Sequence, residues 1–134
     1  MKKKTDSERD EEQAEAQVDS IVEYMQDIMK AQENEDDDEV ERIEQEAQEN
    51  ALSVQVRDGW RRPGIGEDAP EEFELLLCTG GPAVRIWGLL DDYCQPCDWK
   101  VQYQDWFTPW KQYHVPTEQN KEVQAYCDLF YYGE

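Results

Sequence analysis

The chain has 134 residues, with 33 aspartates and glutamates against 13 lysines and arginines, and a formal net charge of −20. This length fits one ordinary domain with an appended segment and excludes a TIM barrel, which typically needs about 250 residues. The negative charge argues against direct binding to nucleic acid or to an anionic membrane, because both require a basic protein face.

The composition divides the chain near residue 50. Residues 1–50 contain 19 acidic and 6 basic residues, whereas residues 51–134 contain 14 acidic and 7 basic residues together with every Trp, Phe, Cys, Gly and Pro. We therefore predict an acidic helical arm at residues 1–50 and a small, aromatic-rich α+β domain at residues 51–134. Polar residues follow the first lysines, so we expect no signal peptide and a cytoplasmic protein.

Apolar residues recur at helical spacing through the arm in two sets: Val18, Ile21, Val22, Met25, Ile28 and Met29, then Val40, Ile43 and Ala47. This pattern fits either one long helix or a helical hairpin that breaks within residues 34–38. Asn and Asp are unfavourable inside helices and favourable at helix caps, so the sequence favours the break.

The densest charge lies in residues 33–49, which hold ten acids and one base. If helical, this segment carries about one net charge per 2.8 Å, on the order of the roughly 1.7 Å spacing along duplex DNA. We predict that its carboxylates mimic nucleic-acid phosphates and bind a basic partner, through Glu33, Glu35, Asp36, Asp37, Asp38, Glu39, Glu41 and Glu44.

Two other interpretations of this segment stay open. An acidic run is commonly a solvated face, a solubility device or a disordered tail. A calcium site is the other, but the consecutive acids at 36–39 lack the alternating pattern of a calcium-binding loop.

The second part predicts a small antiparallel sheet followed by a helix. Leu52, Val54 and Val56 alternate with polar residues as in a short strand, and residues 72–104 predict a three-stranded meander with Trp99, Val101 and Tyr103 on one face. A last helix follows Thr117, with a core-facing stripe of Val123, Tyr126, Cys127 and Phe130. The predicted fold is α+β: an acidic N-terminal helix or helical hairpin, an antiparallel sheet of 3–4 strands and a C-terminal helix.

Four cysteines raise the question of a metal or redox site. Cys94 and Cys97 form a C-x-x-C pair, and with Cys78 and Cys127 they match the ligand number of zinc. Only one pair has knuckle spacing, and the pair lies between two predicted strands among acids that disfavour a reactive thiolate. We favour an interpretation in which Cys94 and Cys97 belong to a hairpin turn, while Cys78 and Cys127 are small buried hydrophobic side chains. We therefore predict no metal and no cofactor.

No catalytic constellation emerges from the remaining residues. His114 is the only histidine, and no serine or cysteine stands at a spacing that supports a nucleophilic pair with it. The sequence therefore predicts a protein that is not an enzyme.

Residues 106–113 contain four aromatic side chains around a proline. In so small a domain we expect two to pack on the sheet and the others to anchor a partner, since Trp and Tyr dominate interface hot spots. Trp106 and Trp110 are the candidates; packing of the whole segment into the core is the alternative.

The strings at residues 74–88, 102–110 and 130–134 resemble small proteins carried by phages and prophages, a likeness that covers about residues 52–134. The resemblance implies an anti-defence protein, such as an anti-CRISPR or anti-restriction protein, acting in the host cell cytoplasm. Several proteins of that class are small acidic DNA mimics, which is an analogy between classes and not between residues.

Three functional hypotheses follow. The first is a non-enzymatic inhibitor whose acidic helical surface binds a basic, nucleic-acid-binding host protein. The second is an interaction module that binds through residues 106–113, with the N-terminal helices forming a homodimer. The third is a small zinc- or thiol-dependent protein.

Overall fold

The computed structural model describes residues 6–58, 70–79, 82–105 and 109–132. In these ranges the chain forms helix α1 (Asp6–Glu33), helix α2 (Asp37–Glu49), strands β1 (Ser53–Asp58), β2 (Pro70–Cys78), β3 (Ala83–Leu90), β4 (Pro96–Gln104) and β5 (Lys111–Tyr113), and helix α3 (Asn120–Cys127) after a short 3-10 turn at Thr117–Gln119. The predicted α+β fold is confirmed.

The acidic arm is a helical hairpin, as the sequence favoured. The backbone of Glu35 has a positive φ of 54°. The Glu35 N–H donates to the Gln32 carbonyl at 3.0 Å and the Asp36 N–H to the Ala31 carbonyl at 3.0 Å. This is the Schellman pattern that ends a helix. Asp36 then caps α2 by accepting a hydrogen bond from the Glu39 N–H at 3.2 Å.

The five described strands form one antiparallel meander in the order β1-β2-β3-β4-β5. The sequence predicted 3–4 strands, and the additional strand is β5, which pairs with β4 from Val101 to Tyr103. A strand of three residues is too short to show an alternating pattern, so periodicity does not reveal it.

The helices cover one face of the sheet. Ala14, Val18 and Ile21 of α1 are fully buried, as are Ile86 of β3 and Val101 of β4. From α3, Val123, Tyr126 and Cys127 join the same hydrophobic cluster as predicted, while Phe130 lies beyond the end of the helix and packs against it. This cluster contains residues from both sides of position 50, and the division there remains a prediction from composition.

The short strand predicted from the alternation at residues 52–57 is present as β1, but its apolar side chains are exposed. The alternation of Leu52, Val54 and Val56 is typical of a strand with one buried face, yet these side chains are 59%, 41% and 47% exposed. The reason is tertiary: the buried helical layer reaches β2 but not this outer strand. None of the described helices combines the length and apolar character needed to cross a membrane.

Candidate protein-interaction surface

The acidic hairpin is anchored by a buried seam. Ile43 and Ala47 of α2 are buried against α1, and Val40 packs on the same cluster. The Tyr126 hydroxyl donates to the Ala47 carbonyl at 3.0 Å, which ties α2 to α3. Acidic side chains on this hairpin are therefore displayed from a packed frame, where fewer degrees of freedom are lost on binding than in a loose tail.

Two of the acids on α2 are paired within the helix. The Arg42 guanidinium forms an ion pair with Glu39 and a second one with Glu46 at 2.7 Å. Hydrogen bonding from Arg42 lowers the pKa of Glu39, and the two carboxylates raise the pKa of Arg42. Glu39, predicted as a partner-binding residue, is therefore already engaged in the chain.

The two bases of the hairpin that follow Arg9 both lie in the groove between its helices. Lys30 from α1 and Arg42 from α2 line this groove around a cavity of about 240 Å³, together with the acids Asp27, Glu39 and Glu46. The groove therefore holds charges of both signs, and its two cations stay open to solvent, since Lys30 is exposed and the Arg42 side chain is 54% exposed.

The other predicted acids are presented at and beyond the turn. Glu33 ends α1, Glu35 and Asp36 form the turn, Asp37 and Asp38 begin α2, and Glu41 and Glu44 follow on it. All are exposed except Glu44, which is half-buried. Within the described part of the chain, none of these carboxylates forms a salt bridge.

A second row of acids lies along α1 and was not predicted. It consists of exposed residues at every fourth position: Glu11, Glu15, Asp19, Glu23 and Asp27. Residues four apart are neighbours on a helix surface, and the row winds around α1 from Glu11, near Tyr113 of β5, to Asp27 at the groove between α1 and α2. The sequence carries this row as an i, i+4 repeat of acids, which charge density alone does not reveal because the acids are spread over 17 residues.

This second row extends the acidic surface toward the sheet. Asp19 accepts a hydrogen bond from the Gln119 amide at 3.3 Å. Burial raises the pKa of Tyr113 on β5, and the nearby charges of Glu15, Asp19 and Glu11 raise it further. The acidic surface therefore runs from the edge of the sheet, along α1, to the turn and the outer side of α2.

Trp110, one of the two predicted aromatic anchors, is half-buried and already has a contact within the chain. The Arg85 guanidinium lies 4.1 Å from the Trp110 ring centroid. The same guanidinium donates to Glu74 at 2.7 Å and to Gln102 at 2.8 Å. These contacts stabilise the face of the sheet opposite the helices. Trp106 lies outside the described residues.

The structure does not bring the four cysteines together. Cys78 contacts Gln13 and the Pro82 carbonyl, and Cys127 is buried in α3. Cys94 lies in the β3–β4 turn with a φ of 59°, and Cys97 is exposed on β4. No group of three or more His, Cys, Asp or Glu residues in the described ranges is placed to hold a metal ion.

His114 lines a cavity of about 520 Å³, which opens where β5 ends beside β4 and α3. Cys97 and Asp98 line the same cavity, as do Lys100 and Lys121. The Cys97 thiol points to the Leu89 carbonyl oxygen at 3.6 Å and not to His114. The cavity therefore collects polar groups without forming the thiol–imidazole hydrogen bond that an activated nucleophile needs.

No protein-family model, curated protein or solved structure matches this chain. The functional conclusion therefore depends on the residues themselves, and the acidic surface of the helical hairpin is the feature that they distinguish.

Proposed function

We propose that the protein is a non-enzymatic inhibitor that binds a basic, nucleic-acid-binding protein through the acidic surface of α1 and α2. The observation that carries the proposal is the charge arrangement on a packed hairpin. Lys30 and Arg42 lie together at the groove between the helices, where Arg42 pairs with Glu39 and Glu46, and Asp37, Asp38, Glu41 and Glu44 form no salt bridge among the described residues.

The physical basis is electrostatic complementarity. Residues 9–50 contain 17 acids and three bases, so this part of the chain carries a net charge of −14. A groove that binds phosphates presents lysine and arginine side chains, and carboxylates can replace phosphates as their partners. Such charges accelerate association and make binding strongly dependent on salt.

A host defence protein is the target class that the resemblance to phage-borne proteins implies, and we include it in the proposal. The second hypothesis, in which residues 106–113 bind the partner, has less support. Trp110 is already stacked under Arg85, and Tyr113 is only 8% exposed.

The test is capture of partners from a bacterial lysate at low and high salt by the tagged full chain. We expect basic nucleic-acid-binding proteins to be retained at low salt and released at high salt. The variant carries Asp37→Asn, Asp38→Asn, Glu41→Gln and Glu44→Gln, which remove four charges from the proposed surface.

The matched control removes four charges elsewhere, through Glu71→Gln, Asp92→Asn, Asp98→Asn and Glu118→Gln. All four control residues are exposed and lie outside the hairpin: Glu71 and Asp98 on strands, Asp92 in the β3–β4 turn and Glu118 in the 3-10 turn before α3. We expect the hairpin variant to lose its partners and the control to keep them. Equal retention by both variants would contradict the proposal, because capture would then not depend on where the acids lie.

A further inference from the structure

The two edges of the sheet are built differently. β5 has three residues and is followed by Pro116. β1 has six residues, and among the described strands it pairs only with β2. A strand at the edge of a sheet presents unpaired N–H and C=O groups, and proteins commonly blunt such an edge with prolines, charges or short length. β5 is protected by its length, whereas β1 is not.

The helix-side surface of β1 is apolar and uncovered. Val54 and Val56 are 41% and 47% exposed, while their β2 neighbours Leu75 and Phe73 are 0% and 1% exposed. The Tyr132 ring packs on Phe73, with 5.0 Å between ring centroids. The described cover over the sheet therefore stops at β2, and the row formed by Leu52, Val54 and Val56 lies beside it.

The charge near this row favours a second copy of the chain as its partner. Residues 51–57 contain no acid and one base, Arg57, in a chain with a net charge of −20. Arg57 is occupied by Glu72 on β2, at 2.5 Å. A basic partner gains little at such a neutral strip, whereas two acidic copies can approach here with less repulsion than through their hairpins.

We propose that β1 pairs antiparallel with β1 of a second copy around a two-fold axis, which joins the two described sheets into one. Val54 lies on the axis, opposite the partner's Val54. Leu52 then lies opposite the partner's Val56, so that all three apolar side chains of each copy meet an apolar neighbour. This self-complementarity is the property that a two-fold interface requires, and cross-strand apolar pairs stabilise a sheet.

This inference goes beyond the proposed inhibitory function and does not depend on it. The proposed dimer presents two acidic hairpins. The β1–β1 contact between its copies is apolar, and the two copies carry charge of the same sign. Added salt should therefore strengthen self-association and weaken binding to a basic partner. The two proposals can thus fail separately.

The test is sedimentation analysis of the full chain over a range of concentrations and salt. We expect a monomer–dimer equilibrium that shifts toward the dimer as salt rises. Val54→Lys places two ammonium groups opposite each other on the axis and should raise the dimer dissociation constant by about tenfold or more. Gln55→Lys is the matched control, because it adds the same charge on the other face of the same strand, where it meets the partner's Ser53.

A cross-link reports the register directly. In a Cys97→Ser background, which removes the exposed native thiol, Val54→Cys should form an intermolecular disulfide under mild oxidation. Gln55→Cys should not, because the two thiols would lie on diagonal positions too far apart. A wild-type chain that stays monomeric at all concentrations, or equal dimer loss in the two lysine variants, would overturn the proposal.

Discussion

Gly88 shows how a single residue sets the packing between three strands. It lies in β3 between Phe73 of β2 and Trp99 of β4, its two cross-strand neighbours. A Cβ at this position would stand 2.1 Å from the Asp98 carbonyl oxygen and 2.7 Å from the Trp99 Cα. Neither backbone atom can move without disturbing the β3–β4 pairing.

We therefore predict that Gly88→Ala lowers the free energy of unfolding by about 2 kcal/mol or more, as overpacking does in a tight core. Urea denaturation of the purified chain measures this change. Leu89→Ala is the control, since Leu89 is 40% exposed and should change stability by less than about 1 kcal/mol. Equal effects of the two substitutions would show that Gly88 is not sterically constrained.

Two buried tyrosines link stability to alkaline pH. Tyr126 donates its hydroxyl hydrogen to Ala47, and Tyr132 donates to the Cys127 carbonyl at 2.7 Å. Burial raises the pKa of both phenols above their ordinary value of 10.0, and nearby Cys127 raises it further. The folded state therefore holds both protons more tightly than the unfolded state does.

The two phenols stabilise the folded state only while they are protonated. The stabilising contribution of these phenols is complete below pH 10, the unfolded pKa, and is lost as the pH rises toward the higher folded pKa values. We predict that the free energy of unfolding falls above this pH, and that it falls less steeply in Tyr126→Phe. Tyr131→Phe, at a 75% exposed position, should leave the slope unchanged. A slope that Tyr126→Phe does not alter would contradict this assignment.

The turn between α1 and α2 contains a strained backbone position. Glu35 adopts a left-handed conformation at the position that most often holds glycine. An L-residue there costs about 1–2 kcal/mol relative to glycine, because its Cβ approaches the following carbonyl oxygen.

We predict that Glu35→Gly raises the melting temperature above that of Glu35→Ala, by a difference that corresponds to about 1 kcal/mol. Both substitutions remove the carboxylate, so their comparison isolates the backbone conformation. Thermal unfolding followed by circular dichroism measures it. If alanine is as stable as glycine, position 35 is not left-handed in solution.

Features of the fold that neighbouring residues determine could be predicted from the sequence, whereas features that tertiary contacts determine could not. The break in the arm was predictable because Asn34 and Asp36 favour caps over helix interiors. The three strands of the meander were predictable from alternation, which places Val101 and Tyr103 inside. The exposure of β1 was not, because it depends on where the helical layer ends. The contacts of Arg85 with Glu74, Gln102 and Trp110 join four segments and have no local signature.

At the scale of the whole molecule, self-repulsion dominates the electrostatics. The net charge is −20, and the described salt bridges of Arg42 and Arg57 are largely exposed, so they add little stability. A large net charge disfavours the compact state, and salt screens it.

We predict that the melting temperature rises when sodium chloride is added to a low-salt buffer. The hairpin variant with four amide substitutions should rise less, because it has fewer charges to screen. A melting temperature that falls with salt would mean that favourable ion pairs outweigh the repulsion, contrary to this account.

The division of charge within the molecule gives the proposed function its mechanism. The sheet and α3 anchor the hairpin, and Arg42 pairs with Glu39 and Glu46 beside Lys30 in the groove between α1 and α2. The exposed carboxylates at the turn and on α2 that form no described salt bridge are the ones that we propose bind the partner. Sequence reasoning identified the acids at 33–44 but not the row from Glu11 to Asp27, so the acidic surface is longer than predicted.

The most direct test of this account is competition with duplex DNA for a partner captured from the lysate. If the hairpin carboxylates occupy a phosphate-binding groove, DNA and the chain cannot bind together, and added DNA should release the partner in proportion to its own affinity. The hairpin variant should compete with DNA far more weakly than the matched control that lacks four charges outside the hairpin. Simultaneous binding of DNA and the chain to the same partner would contradict the central claim.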